Sequence, residues 1–209
     1  SKYSYRVKLM ADQITEMFGI SPDNIEDFII ASQISQAEAK KFFIELTRID
    51  KWRRTGILWW NMIDGWPQFS DAVVDYYFGK KIAYHYIKRV QQPLCLMIKE
   101  PQNWYAEVVA GNDSNCETAG QYRIWEADTG ETLLEGSFDV KANENISLGK
   151  IRVSHGDKRL FLMEWTAGSI KGGNHYLLGY PPFSLEKYKV WLKSIALLYP
   201  CFDTASIVK

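Results

Sequence analysis

The sequence is poor in the residues that build metal sites and disulfide frameworks. Its 209 residues include only three cysteines and three histidines. The cysteines lie far apart and without C-x-x-C spacing, at Cys95, Cys116 and Cys201. We therefore expect free, buried thiols rather than a zinc site or a disulfide framework. The histidines are equally scattered, at His85, His155 and His175. Neither a metal nor another cofactor is predicted.

An excess of charge and a long apolar run are also missing. Lys+Arg and Asp+Glu both number 25, a balance that argues against binding nucleic acid or an anionic membrane through bulk charge. No run of 18 apolar residues exists, so no transmembrane span is predicted. We expect a soluble globular protein and leave its compartment and oligomeric state open. Residues 145–147 fit the N-glycosylation triplet, which matters only in a eukaryotic secreted protein.

Residues 1–92 carry helical periodicity. One apolar face in residues 7–18 predicts a first helix that ends at Gly19. Ser21-Pro22 then predicts the start of a helix over about 25–50, whose two apolar stripes indicate cover on two sides. The short apolar run 56–60 is typical of a strand in a buried parallel sheet, and another helix is expected near 81–90.

From residue 93 onward the apolar period becomes two. Seven strands are predicted, at 94–99, 104–110, 121–126, 132–140, 145–153, 160–166 and 175–178. Seven short strands in about 85 residues favour an immunoglobulin-like β-sandwich. Trp104, Trp125 and Trp165 are expected in its core, and a last helix is predicted after Ser184. We expect 93–209 to fold on its own, and 1–92 to need further cover.

The densest group of aromatic and polar residues is the segment 59–67, W-W-N-M-I-D-G-W-P. An apolar strand there runs into a loop that holds an amide, a carboxylate and an indole. Sugars present flat C–H faces and rings of hydroxyls, so a sugar pocket needs aromatic planes beside Asn, Asp or Gln. The alternative is a packed tryptophan pair followed by a polar turn, because buried aromatic residues are mostly part of the core.

Several segments resemble one known family. Residues 32–38, S-Q-I-S-Q-A-E, resemble the S-Q-x-x-Q-A-E helix of β-mannosidase-like members of glycoside hydrolase family 2. Residues 56–67 are similar to their G-x-x-x-W-Q-x-N-D-x-W-P segment, and residues 70–84 to the S-x-x-x-x-D-Y-Y and K-x-A-Y that follow. Asn174-His175-Tyr176 and the helix after Phe183 resemble the end of the family's last sandwich.

The resemblance implies an α/β plus all-β fold. Residues 1–92 would be the last helices and eighth strand of a (β/α)₈ TIM barrel, and residues 93–209 an immunoglobulin-like sandwich with a terminal helix. It also implies a substrate site in which Trp60 lies under the sugar of the −1 subsite. Asn61 replaces the family's Gln, and Ile63 its Asn. The implied substrate-binding residues are Trp60, Asn61, Asp64 and Trp66.

The catalytic carboxyl pair is not found in this chain. A retaining glycosidase uses two carboxyls about 5–5.5 Å apart, and the resemblance implies that both lie on barrel strands well before the S-Q-x-x-Q-A-E helix. Only 32 residues precede Gln33. Glu16 superficially resembles the family's nucleophile segment. We reject it, because its spacing to Gln33 is too short and it falls inside an amphipathic helix.

Two hypotheses follow. In the first, the chain is the C-terminal part of an exo-acting, retaining β-glycosidase that hydrolyses terminal β-linked sugars, and the chain alone is inactive. In the second, it is a non-catalytic carbohydrate-binding or interaction module. The segments at 28–66 favour the first, because a free binding module has no need of a barrel strand.

Overall fold

The computed structural model describes residues 4–203, and within that range it contains four helices and seven strands. The helices are α1 (Ser4–Phe18), α2 (Ile25–Ile49), α3 (Ile82–Val90) and α4 (Leu185–Leu197). The strands are β1 (Leu94–Ile98), β2 (Tyr105–Asn112), β3 (Thr118–Glu126), β4 (Thr132–Val140), β5 (Asn145–Arg152), β6 (Arg159–Ala167) and β7 (Ile170–Leu178).

The predicted helices form, with one change at a helix start. Gly19 ends α1 with a φ of +82°, a conformation that costs a glycine little, and its N–H donates to the Thr15 carbonyl at 2.8 Å. The cap of α2 is Asn24 rather than Ser21. The Asn24 side chain accepts from the Asp27 N–H at 2.8 Å, and its carbonyl accepts the first helical bond. The Ser21 prediction was therefore wrong by three residues.

Residues 56–60 do not form the predicted strand in this structure. A parallel strand exists only through hydrogen bonds to its neighbours, and the described residues place no strand beside this segment. Isolated parallel bridges flank the segment, between Lys51 and Arg54 before it and between Ile63 and Val74 after it. The assignment of 56–60 to an eighth barrel strand therefore stays a prediction.

The sandwich confirms the period-two pattern. Strands β1-β2-β5 form one antiparallel sheet and β4-β3-β6-β7 the other, and both sheets line one apolar core. Strand β7 starts at Ile170 rather than 175. The strand pattern of its first half is weak in the sequence because Gly172 and Gly173 interrupt the apolar alternation. A Cβ on Gly172 would lie 2.2 Å from the Trp165 ring, so the ring fills the space left by the glycine.

The three tryptophans predicted in the sandwich core differ in their surroundings. Trp165 is buried in the sandwich core, whereas Trp125 is partly buried and packs against the core of the helices instead. Trp104 is 61% exposed and was wrongly assigned to the core. Its φ of +69° places it in the turn before β2, where the backbone leaves the strand and carries the indole into solvent.

Helices α1, α2 and α3 form the helical half of the chain, and this half packs against the sandwich. Helix α4 joins the core formed by α1, α2 and α3 rather than the sandwich core. Leu160 and Leu162 of β6 are buried in that same helical core, on the outer face of the sandwich. Removing residues 4–92 would therefore uncover one sheet face and most of the apolar contacts of α4. Whether the boundary at residue 92 separates two folding units stays a prediction.

Two minor expectations from the sequence change in the structure. The Asn145 amide nitrogen donates to the carbonyls of Arg48 and Ile49 at 2.9 and 3.2 Å, so the nitrogen that would carry a glycan is bonded within the fold. All three cysteines are free, but only Cys95 is buried, and burial raises the pKa of its thiol to about 12. Cys116 and Cys201 are exposed, so the expectation of buried thiols fails there.

Residues 4–203 contain no helix long and apolar enough to span a bilayer. Over the same range, no group of three or more histidine, cysteine or acidic side chains is arranged to hold a metal ion.

Candidate functional site

The segment 59–70 turns two indole rings outward and one carboxylate inward. Trp60 is 77% exposed and Trp66 is 64% exposed, whereas Asp64 is only 4% exposed. The Trp60–Asn61 peptide bond is cis. The sequence alone predicted that these side chains share one site. The structure places them on one short segment, with Asp64 behind the surface that carries the rings.

Backbone hydrogen bonds hold this segment against residues 73–74. The Val73 N–H donates to the Asn61 carbonyl at 3.2 Å, and the Val74 N–H donates to the Met62 carbonyl at 2.9 Å. In the reverse direction, the Asp64 N–H donates to the Val74 carbonyl at 3.1 Å. These three bonds fix the path of the chain directly after the exposed Trp60.

Asp64 organises the loop from inside. Its Oδ1 accepts from the Ser70 hydroxyl and from the Gln68 amide at 3.0 Å. Its Oδ2 lies 3.9 Å from the Lys81 ammonium, whose pKa is lowered by burial. Lys81 also donates to the Ser70 carbonyl at 3.2 Å. Because one carboxylate gathers these groups, Asp64 sets the shape of the loop that carries both exposed indoles.

Asn61 has an unused acceptor. Its amide nitrogen makes a long contact of 3.4 Å to the Ile63 carbonyl, and its Oδ1 is buried with no hydrogen-bond partner. An unsatisfied buried acceptor costs about 1–3 kcal/mol. A rotation of this amide toward a hydrogen-bond donor would remove that cost.

The S-Q-x-x-Q-A-E residues of α2 hold the neighbouring elements. The Gln33 side chain accepts from the N–H of Ile82, the first residue of α3, at 3.1 Å. The Gln36 side chain donates to the Asp71 carbonyl at 2.6 Å. Both amides therefore have a structural role, because each forms a hydrogen bond with a backbone group that has no partner within a helix or strand.

A wide groove of about 1160 Å³ lies beside the segment. Helices α1 and α2, the run 57–60 and the loop 68–71 line it. Its apolar lining is open to solvent: Leu58 is fully exposed, and Phe42 and Phe43 are about half exposed. Leu58 belongs to the run predicted as a buried strand. An exposed apolar surface of this kind marks an interaction site, either for protein or membrane or for a ligand.

A buried polar cluster joins α2 to the sandwich and α4, and the sequence alone did not reveal it. Glu38 Oε1 lies 2.9 Å from His175 Nε2 and accepts from the Tyr188 hydroxyl. The Tyr188 and Tyr86 hydroxyls are 2.8 Å apart, and the Tyr86 ring packs on His175 with centroids 4.5 Å apart. Both motifs that contribute, 32–38 and 174–176, were visible in the sequence, but their contact was not.

The charges of this cluster are set by burial and hydrogen bonding. Burial lowers the pKa of His175 to about 4, so a neutral imidazole donates its Nε2–H to Glu38 near neutral pH. Burial acts to raise the pKa of Glu38, but contacts with His175 and Tyr188 outweigh it and hold the pKa below its usual range. His175 thus contacts Glu38 of α2 from a buried position on β7.

A second set of bonds continues the cluster. Lys41 and Glu45 form an ion pair of 2.7 Å with both side chains buried. The Asn174 amide donates to Glu45 at 2.6 Å and to the Leu96 carbonyl of β1 at 2.8 Å. Asn174 and His175, neighbours on β7, thus bind two acidic residues two helical turns apart on α2.

Comparison with known proteins gives a consistent set of relatives. No family model matches the chain. It is 27% identical over 148 residues to β-mannosidase B of Thermothelomyces thermophilus, and this alignment covers 63% of this chain and 16% of that protein. It is 32% identical over 127 residues to β-mannosidase B of Aspergillus niger, covering 56% and 14%. The matched segments thus span only about one seventh of these relatives' length.

The fold has solved counterparts. The β-D-mannosidase of Dictyoglomus thermophilum superposes with a TM-score of 0.70 at 27% identity, covering 85% of this chain and 22% of that one. The exo-chitosanase of Amycolatopsis orientalis superposes with a TM-score of 0.63 at 21% identity, covering 82% and 21%, and shows a shared fold.

The fold and these matches place the chain among the glycoside hydrolases. More particularly, the resemblance seen in the sequence is confirmed: the chain is similar to the C-terminal portion of β-mannosidase-like enzymes of glycoside hydrolase family 2.

Proposed function

We propose that this chain forms one wall of the −1 subsite, together with the accessory sandwich, of an exo-acting, retaining β-glycosidase that hydrolyses terminal β-linked sugars. The relatives named β-mannosidase favour a β-mannoside as the substrate. The observation that carries the proposal is the exposed aromatic and apolar edge that runs from Leu58 through Trp60 to Trp66.

In this proposal, residues 1–92 are the last part of a TIM barrel. The run 57–59 has the apolar character of a buried parallel strand, yet it lies open beside the large groove. Preceding barrel strands and helices would pair with this run and fill the groove. Removing apolar surface from water contributes about 25 cal/mol per Å² to stability. Covering the apolar lining of the groove would therefore stabilise the enzyme.

The sugar would pack on the indole of Trp60, with Trp66 as a second aromatic wall. The free acceptor of Asn61 would read a hydroxyl, and Asp64 would hold the loop in shape through Ser70 and Gln68. Both catalytic carboxyls would come from the preceding part of the enzyme. Glu16 lies exposed within the regular helix α1 rather than at the end of a barrel strand.

The sandwich would support this wall rather than act alone. Its seven strands in two sheets suit an immunoglobulin-like domain, although β4 pairs with β3 here, whereas the constant type places its fourth strand in the other sheet. The buried contacts of β7 with Glu38 and Glu45 fix α2, and α2 in turn holds the sugar-binding segment. This coupling favours the enzyme hypothesis over an independent binding module.

The isolated 209-residue chain is expected to hydrolyse no aryl β-mannoside, because the acid/base and the nucleophile lie outside it. The measurement is the release of p-nitrophenol from the aryl glycoside by the purified chain and by the longer enzyme. Turnover is expected from the longer enzyme only. Turnover by the chain that Glu16→Gln abolishes would contradict the proposal and restore Glu16 as a catalytic group.

A further inference from the structure

Three side chains on one face of α2 bind the backbone between the end of α2 and the first residue of α3. Two of them are Gln33 and Gln36, which bind Ile82 and Asp71. The third is Lys40, whose ammonium donates to the main-chain carbonyl of Trp60 at 2.8 Å.

The spacing of these three residues matches the helix. Positions 33, 36 and 40 fall on one side of α2 over about two turns, or roughly 10 Å along the axis. The connection that they hold runs from residue 50 to residue 81, and a connection of that length without regular structure needs such anchors to keep one shape. Gln36 holds its distal half and Gln33 binds the start of α3, so that Lys40 alone among the three holds the sugar-binding segment.

The contact made by Lys40 combines two interactions. Its ammonium is also 4.9 Å from the centre of the Trp59 ring, in the geometry of a cation–π contact. Lys40 is half-buried, which lowers the pKa of its ammonium, although Asp71 acts in the opposite direction. A partly desolvated ammonium makes a stronger hydrogen bond to a carbonyl than an exposed one.

We propose that Lys40 is a positioning residue for the sugar site: it fixes the carbonyl of Trp60, and thereby the plane of the indole on which the sugar packs. The inference rests on the proposed role of Trp60 in the −1 subsite. Lys40 itself touches no sugar in this account, since it binds the backbone behind the ring.

The first test compares kinetics in the longer enzyme. Lys40→Met keeps the length of the aliphatic stem and removes the hydrogen-bond donor, so kcat/KM should fall about tenfold. Most of the loss should appear in kcat, because a displaced Trp60 indole fits the transition state less well. Lys40→Arg retains a donor and should recover at least half of the lost activity on a logarithmic scale. Lys193→Met, at an exposed lysine of α4, is the matched control and should leave kcat/KM unchanged.

The second test uses the 209-residue chain and needs no activity. The indole ¹H–¹⁵N resonance of Trp60, assigned by its loss in Trp60→Phe, should shift or broaden in Lys40→Met. The resonance of the buried Trp165 should stay in place and report an intact sandwich.

The outcomes separate the two proposals. If Trp60→Ala impairs the enzyme but Lys40→Met changes neither kcat/KM nor the Trp60 resonance, the role of Lys40 is overturned and the function of Trp60 stands. If Trp60→Ala has no effect, the proposed function fails, and the role of Lys40 fails with it. Loss of the Trp165 resonance in Lys40→Met would also overturn the inference, because Lys40 would then support the whole fold.

Discussion

Replacing Trp60 by alanine in the longer enzyme is expected to lower kcat/KM about 100-fold without unfolding the protein. Trp60 is 77% exposed, so its ring contributes little to the core of this chain. Burying an aromatic face against a sugar is worth about 1.5–3 kcal/mol, with up to about 1.5 kcal/mol more for specific ring geometry. Because the ring would lie under an oxocarbenium-like transition state, the larger part of the loss should appear in kcat.

The measurement is steady-state kinetics on an aryl β-mannoside, with thermal unfolding of each variant. Trp104→Ala is the matched control, since Trp104 is also a largely exposed indole but lies on the sandwich turn before β2. It should leave kcat/KM within about twofold. Normal kinetics for Trp60→Ala would remove Trp60 from the site and leave it a surface residue of the loop.

Replacing Glu38 by alanine is expected to destabilise the chain by about 2–6 kcal/mol, a large share of the 5–15 kcal/mol typical of a folded domain. The substitution leaves the buried Tyr188 hydroxyl and His175 Nε2 without their common acceptor. Each buried group left unsatisfied costs about 1–3 kcal/mol. Urea unfolding followed by tryptophan fluorescence measures the loss.

Two further variants define the cause of that loss. Glu38→Gln keeps an acceptor oxygen for the same two partners and should cost less than half as much as Glu38→Ala. Glu186→Ala removes a largely exposed carboxylate from α4 and should change stability by less than about 1 kcal/mol. Equal unfolding midpoints for Glu38→Ala and Glu186→Ala would show that the buried cluster does not hold the two halves together.

Local patterns were sufficient to predict most of the fold. The 3.6-residue period located all four helices, and the cap at Ser184 is confirmed by its bond to the Lys187 N–H at 3.2 Å. The period of two located all seven strands. Structure and prediction differ where the surroundings of a segment, rather than its local preference, set its conformation. Residues 56–60 carry a strand pattern but have no strand neighbour in the described chain, and Trp104 has an apolar side chain on a turn.

The site was less predictable than the fold. The segment that holds Trp60, Asn61, Asp64 and Trp66 was found from its composition and its resemblance to a family. That Asp64 is buried under the loop, whereas the two indoles are exposed, depends on Ser70, Gln68 and Lys81, and no spacing rule reveals it. The contact between Glu38 and His175 joins residues 137 positions apart, so it follows only from the packing of α2 on β7.

Hydrogen exchange at the amides of Ile57, Leu58 and Trp59 tests most directly whether this chain is part of a larger barrel. In the isolated chain these amides have no strand partner and should exchange at nearly the rate of an unfolded peptide. In the longer enzyme, pairing with neighbouring barrel strands should slow them at least 100-fold, as in the strands of the sandwich. Equal exchange rates in the isolated chain and in the longer enzyme, whether fast or slow in both, would contradict the account.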